Sequence, residues 1–169
     1  MKYHVVIAAL FLLSSFAIAD SQKHALHAHS HGSAKLSIAL ESANHLEIEM
    51  EVSGADTVGF EHKPKTDSEK QKIATFKADL QKNLLSLLGL EETCKLLELK
   101  IDIEYENENH SDWDVDAKIH CEKPLNGHKV KMNFAKLFKG LKELNISYIS
   151  ETKQTSHKFK KGQGELSFE

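Results

Sequence analysis

An α+β fold, with one antiparallel sheet packed by a single main amphipathic helix, is predicted by three features of the chain. Apolar and polar residues alternate in four stretches between Ser33 and Cys121, the pattern of half-buried strands. One segment among them carries its apolar residues at three- and four-residue steps, the pattern of a helix with one buried face. Two cysteines, Cys94 and Cys121, stand where they would tie neighbouring strands together. At 169 residues, 40% of them hydrophobic, the chain can bury a core of its own within a single domain.

The first 19 residues read as an export signal. Met1-Lys2-Tyr3-His4 supplies a basic start, Val5 to Phe16 an apolar core, and Ala17-Ile18-Ala19 the small-x-small cleavage pattern, so the mature chain is expected to begin at Asp20. The apolar run falls short of the roughly 20 residues that span a bilayer, and no later stretch reaches that length. No cysteine stands at the cleavage point to carry a lipid. The expected product is therefore soluble, without a membrane anchor.

Residues 20–32 form a histidine-rich segment that holds four of the 11 histidines: His24, His27, His29 and His31. The folded domain is expected to occupy residues 33–169. Its first strand places Ala34, Leu36, Ile38 and Leu40 on one face. After a turn at Asn44-His45, Leu46, Ile48, Met50 and Val52 alternate with Glu47, Glu49 and Glu51, which makes a hairpin with an acidic outer face. Its apolar face needs a cover. Thr66-Asp67-Ser68-Glu69 matches a capping box, and Ile73, Phe76, Leu80, Leu84, Leu87 and Leu88 then make one apolar stripe ended by Gly89. That helix is expected to lie across the sheet.

Leu97, Leu99, Ile101, Ile103 and Tyr105 mark a third strand. Trp113, Val115, Ala117, Ile119 and Cys121 mark a fourth, joined to it through the polar stretch from Glu106 to Ser111. Pairing them antiparallel brings Cys94, at the start of one, beside Cys121, at the end of the other, which predicts a disulfide. The rival use of Cys121 with His120 in a metal site is disfavoured because adjacent strand residues point to opposite faces. Further on, 129–134 suits a short strand, 135–140 one helical turn and 144–149 another strand. A last hairpin is expected from 154–159 and the end at Leu166 and Phe168.

Chemistry in this chain points to metal. Imidazole is the commonest protein ligand for zinc, copper and nickel. On an extended segment His27, His29 and His31 share a side but stand roughly 6.5 to 7 Å apart, too wide for one ion unless the chain bends. The alternative is that the histidine-rich segment is merely solvated and binds metal adventitiously. A composite site is the sharper expectation, joining His29 or His31 to His62, in the loop Gly59-Phe60-Glu61-His62-Lys63-Pro64, or to His110. His110 stands in His110-Ser111-Asp112-Trp113-Asp114, where Asp112 offers a further ligand or a partner that orients the imidazole. His62 alone reads more readily as an exposed loop residue, and His110 equally as part of a polar hairpin tip. The face of the fourth strand carrying Asp112, Asp114, Asp116, Lys118 and His120 reads as solvated. His45, His128 and His157 carry no spacing signal.

Other classes find no support. The chain has no His-Glu-x-x-His helix, no glycine-rich phosphate loop and no Gly-x-Ser-x-Gly turn, so an enzyme is not expected. Cleavage removes Lys2 alone among the charged residues and leaves an acidic chain with scattered lysines, which excludes nucleic acid as the expected partner.

At these residues the chain resembles the ZrgA family of periplasmic zinc-uptake proteins of Gram-negative bacteria. The resemblance is carried by His-x-His-x-His-Gly at residues 27–32, the strand of alternating acids and apolar residues from Leu46 to Val52, the loop from Val58 through His62 to Pro64, the cysteine pair, and His110-Ser111-Asp112-Trp113. It implies a periplasmic zinc-binding protein that aids zinc acquisition by delivering ions to a transporter's binding protein. It strengthens His29, His31, His62 and His110 as ligands. Many relatives carry a long run of histidines and acids before the His-Ser-Asp motif; here Glu106-Asn107-Glu108-Asn109 stands in its place, which argues against a large-capacity zinc sponge in that loop. Two other readings stay open: an envelope protein-protein interaction domain with incidental metal, and copper or nickel handling. Affinity generally peaks at copper, though the absence of a methionine cluster argues against copper(I).

Overall fold

Residues 31–169 are described by the structure, a computed structural model. The predicted export signal and His24, His27 and His29 lie outside the described residues. Each alternating stretch becomes a strand, and β1 (Ser33–Ser42) and β2 (His45–Ser53) pair as the expected hairpin. A short helix α1 (Gly54–Thr57) and the long α2 (Asp67–Leu88) follow, then β3 (Cys94–Asn107) and β4 (His110–Cys121). The chain ends with β5 (Lys129–Asn133), a 3-10 turn over Phe134–Lys136, β6 (Glu143–Ile149), β7 (Gln154–Lys160) and β8 (Gln163–Ser167).

Six strands form the main sheet in the order β3-β4-β2-β1-β6-β7. Its inner face buries Leu36, Ile38, Leu46, Ile48, Trp113, Val115, Leu144, Ile146 and Tyr148. α2 covers part of that face with Phe76, Leu80, Leu84, Leu87 and Leu88. Phe76 sets its edge against Trp113 at 5.2 Å and Phe138 at 5.4 Å. Both halves of the capping box form: the Glu69 N–H donates to Thr66 Oγ1, and the Thr66 N–H donates to Glu69 Oε2. Gly89 ends the helix in the left-handed region at φ 73, and any Cβ there would meet the Lys131 carbonyl oxygen at 2.6 Å. Only glycine satisfies both demands.

The expected disulfide joins Cys94 and Cys121, which are direct cross-strand partners in β3 and β4. Three expectations need correction. The sheet is mixed instead of purely antiparallel, because β6 pairs with β1 in parallel. Alternation marks a strand's faces but not its direction, and a parallel partner needs a long crossover, here supplied by everything from β2 to β5. The last hairpin does not pair with itself: β7 extends the main sheet beside β6, while β8 turns away to β5 in a separate two-stranded sheet and sends Leu166 and Phe168 into the core. Finally, a bulge between Leu96 and Glu98 puts Leu96 opposite Ile119 and leaves Leu97, expected inside, 61% exposed.

Candidate metal centre

One end of the sheet is assembled by a clasp. The β1 strand starts directly after Gly32, whose N–H donates to Asp56 Oδ2 at 2.6 Å and whose carbonyl accepts from the N–H groups of Lys142 and Glu143. Asp56 is buried in α1, where it also accepts from Ser53 Oγ at 3.0 Å while its own N–H donates back to that oxygen. The residue before Gly32 is His31. Its backbone is thereby pinned beside the loop that leaves α1.

That loop approaches β4 closely because Gly54 allows it. A Cβ at Gly54 would stand 2.3 Å from Ser111 Oγ and 2.7 Å from the Phe60 carbonyl oxygen. Without a side chain at 54, the backbone around Glu61 comes down onto the first residues of β4. Two predicted candidates, His31 and His110, then converge on Glu61, and a third, Asp112, flanks His110.

Glu61 stands between two histidines. Its Oε2 is 4.0 Å from His31 Nε2, and its Oε1 is 3.7 Å from His110 Nδ1. On the other side of the same ring, His110 Nε2 is 3.6 Å from Asp112 Oδ2, two residues along and on the same face of β4. The Glu61 and Asp112 side chains are each only 11% exposed, whereas that of His31 is 64% exposed. Glu61 Oε1 is buried and has no hydrogen-bond partner among the described residues. A buried carboxylate oxygen left so is unfavourable by itself and favoured next to a cation.

Because Glu61 and Asp112 face opposite nitrogens of His110, one ion could be shared by His31, Glu61 and His110 Nδ1 only, with Asp112 accepting from the far nitrogen and orienting the ring. Imidazole and carboxylate are donors of the kind zinc takes. Ligand atoms around tetrahedral zinc stand roughly 3.3 Å apart, from bonds of about 2.0 to 2.2 Å. The His31–Glu61 and Glu61–His110 contacts, at 4.0 and 3.7 Å, are wider by a fraction of an ångström. As the side chains stand, no three His, Cys, Asp or Glu among the described residues are close enough to hold an ion.

His62 has a different environment. Its Nδ1 donates to the Lys63 carbonyl at 2.9 Å, its Nε2 stands 3.6 Å from Glu69 Oε1, and Phe60 stacks on the ring with centroids 5.0 Å apart. The carbonyl contact fixes the proton on Nδ1, so a neutral ring keeps its lone pair on Nε2. Glu69 is held below the usual carboxylate range by hydrogen bonds from the backbone N–H groups of Lys65 and Thr66, with His62 adding to the effect. The structure thus brings His31 and His110 to Glu61, with Asp112 on the far side of the His110 ring, and sets His62 against the start of α2. His27 and His29 lie outside the described residues.

Sequence reasoning missed the parts played by Glu61 and Asp56, and it placed Glu69 in the helix cap without seeing its contact with His62. Asp56 had a signal: Ser53-Gly54-Ala55-Asp56 has the spacing of a helix cap. Glu61 had only its place beside His62.

The outer face of β4 is less solvated than expected. Asp112 is buried, and half-buried Asp114 lies opposite Glu51 on β2 and Asp102 on β3. Burial, then the charges of Glu104, Glu51, Asp112 and Asp116, push the Asp114 carboxyl up to about 6 from 3.8. A folded-state pKa above the unfolded one gives stability that is complete below pH 3.8 and lost as pH rises through about 6. In metal-free buffer Asp114→Asn is therefore expected to stabilise the fold at about pH 7, by roughly 1 kcal/mol after discounting for solvent screening, and to bring no gain at about pH 4. Thermal melts at the two pH values check this; an equal effect at both would refute the electrostatic account.

Among the described residues no helix is long and apolar enough to cross a membrane. A comparison with curated proteins finds no match. A family model described as ZrgA family zinc uptake protein matches residues 28–168, a span that takes in His29, His31, Glu61, His62, His110 and Asp112 and leaves His27 just outside. That is a family of uptake proteins and not of enzymes. The match covers most of the chain, which therefore belongs to the ZrgA family of zinc uptake proteins.

Proposed function

We propose that the protein binds zinc in the periplasm and passes it on for uptake, with the histidine-rich segment capturing ions and the folded domain receiving them. The observation that carries this reading is Glu61, whose buried oxygen lacks a hydrogen bond and faces His110 while its other oxygen faces His31. In this reading residues 1–19 are removed on export, residues 20–32 are the capturing arm, and residues 33–169 hold the receiving site. His31 belongs to both parts, since it ends the arm and already stands beside Glu61.

His110 Nδ1 and Glu61 would supply the imidazole and carboxylate donors, Asp112 would orient the ring from its other nitrogen, and His31 would close the site. His27 and His29 extend the reach of the arm, and His62 offers an Nε2 lone pair at its edge. The exposure of His31 suits exchange: a ligand at the surface can let go without unfolding the domain. The receiver of the ion would be the periplasmic binding protein of a zinc transporter.

Calorimetry on the mature protein tests this directly. Saturable zinc binding is expected, with weaker affinity once His27, His29 and His31 are all replaced by alanine. A wild-type protein that shows no saturable binding would remove the proposal.

A further inference from the structure

At the opposite end of the same two strands, His45 and His120 are direct cross-strand partners. We propose that this pair is a second divalent-cation site, independent of the centre around Glu61. His110 and His120 are ten positions apart on β4, which at the rise of a strand separates the two ends by roughly 30 Å. No single ion serves both.

The geometry has three parts. His120 Nδ1 and His45 Nε2 are 3.2 Å apart, with ring centroids at 4.6 Å and planes tilted by 49°. Two nitrogens bound to one tetrahedral ion at about 2.0 to 2.1 Å stand roughly 3.3 Å apart, so the pair already has the required separation, and the tilt between the rings must turn both lone pairs toward one point for an ion to sit there. The other nitrogen of His45, Nδ1, lies 3.1 Å from Ser42 Oγ. When Nδ1–H donates to that hydroxyl oxygen, the lone pair falls on Nε2, the atom that faces His120. Without metal the neutral His120 carries its single proton on Nδ1, where it hydrogen-bonds to His45 Nε2. When a cation takes that place, the proton passes through solvent to His120 Nε2, so the ring stays neutral and its Nδ1 lone pair is free to bind.

The frame that holds the rings is rigid. Cys121, next to His120, is tied to Cys94 by the disulfide. Asn44, next to His45, accepts the Cys121 N–H on its carbonyl at 2.8 Å and donates from Nδ2 to the Cys121 carbonyl at 3.2 Å. Both imidazoles thus spring from backbone that is fixed on either side, which lowers the ordering cost of binding. Lys95, opposite His120 on β3, stands 3.4 Å from Glu122 Oε1. His45 is exposed and His120 half-buried, so an ion can enter from solution with water completing its shell. Two imidazoles and water suit a borderline cation such as zinc in labile exchange.

The test is a zinc titration of mature protein labelled with nitrogen-15 at histidine, followed through the ring nitrogens of wild type and His45→Asn. In the wild type His45 Nε2 and His120 Nδ1 should shift together; in His45→Asn, with an unchanged backbone spectrum, the shift of His120 should be lost. Rings that stay silent in excess zinc, or a His120 response that survives in His45→Asn, would overturn the proposal and leave a hydrogen-bonded pair only. His110, read in the same spectra, reports the other centre separately. Failure at one end is therefore distinguishable from failure at the other.

Discussion

Replacing His110 with alanine is expected to weaken zinc binding by the mature protein at least about tenfold, the range in which loss of a ligand or of its orienting partner falls. The reason lies in its position. His110 has Glu61 on one side at 3.7 Å and Asp112 on the other at 3.6 Å, so removing the ring separates the two buried carboxylates from their shared partner. Glu61→Gln keeps the shape and removes the charge, and should weaken binding in the same direction. The two changes act on one cluster, so the double variant should lose less than the sum of the single losses. Competition against a chelating dye measures all three. Equal affinities for wild type and His110→Ala, with both proteins folded by circular dichroism, would take these residues out of zinc binding. The same assay should show affinity falling at acid pH, because an ion and a proton compete for the same lone pair.

The second large effect concerns the disulfide. Cys94→Ala with Cys121→Ala is expected to cost about 3 kcal/mol, chiefly because the unfolded chain regains the freedom of the loop between them. For a domain of this size that lowers the melting midpoint by roughly 6 to 12 °C. The placement adds to the effect. β3 is an edge strand, paired only with β4, and the bulge at Leu96 already interrupts that pairing close to Cys94. Cys121 is fully buried, so alanine also leaves a gap in the core. Scanning calorimetry of the double variant beside the oxidised wild type checks the figure. An unchanged midpoint would mean that strand pairing alone secures this end of the sheet.

The elements were legible where the signal was local. Alternating apolar positions from Ala34 to Leu40 and from Leu46 to Val52 are all buried, and the capping box at Thr66 and the stop at Gly89 form as their residues predict. The antiparallel β3–β4 pair even placed the disulfide. Legibility failed at Leu97, where alternation continued through a bulge that only the partner strand reveals. It failed again at β8, because nothing near Leu166 and Phe168 says which sheet will bury them.

The candidate centre divides in the same way. His31, His110 and Asp112 could be nominated from residue type and spacing, and a family resemblance supported the first two. Glu61 could not be weighted, since its meaning depends on a loop brought onto β4 over Gly54 and on a Gly32–Asp56 hydrogen bond between residues far apart in the chain. The His45–His120 pair was passed over for the same cause: neither histidine has a neighbour in sequence that marks it. By itself the sequence determined strands, helix ends, disulfide and the imidazole-rich chemistry, because capping and the period of burial act within a few residues. Strand direction, the parallel β1–β6 pairing and the meeting of residues 31, 61 and 110 were decided by packing between distant segments, whose free energy no local pattern records.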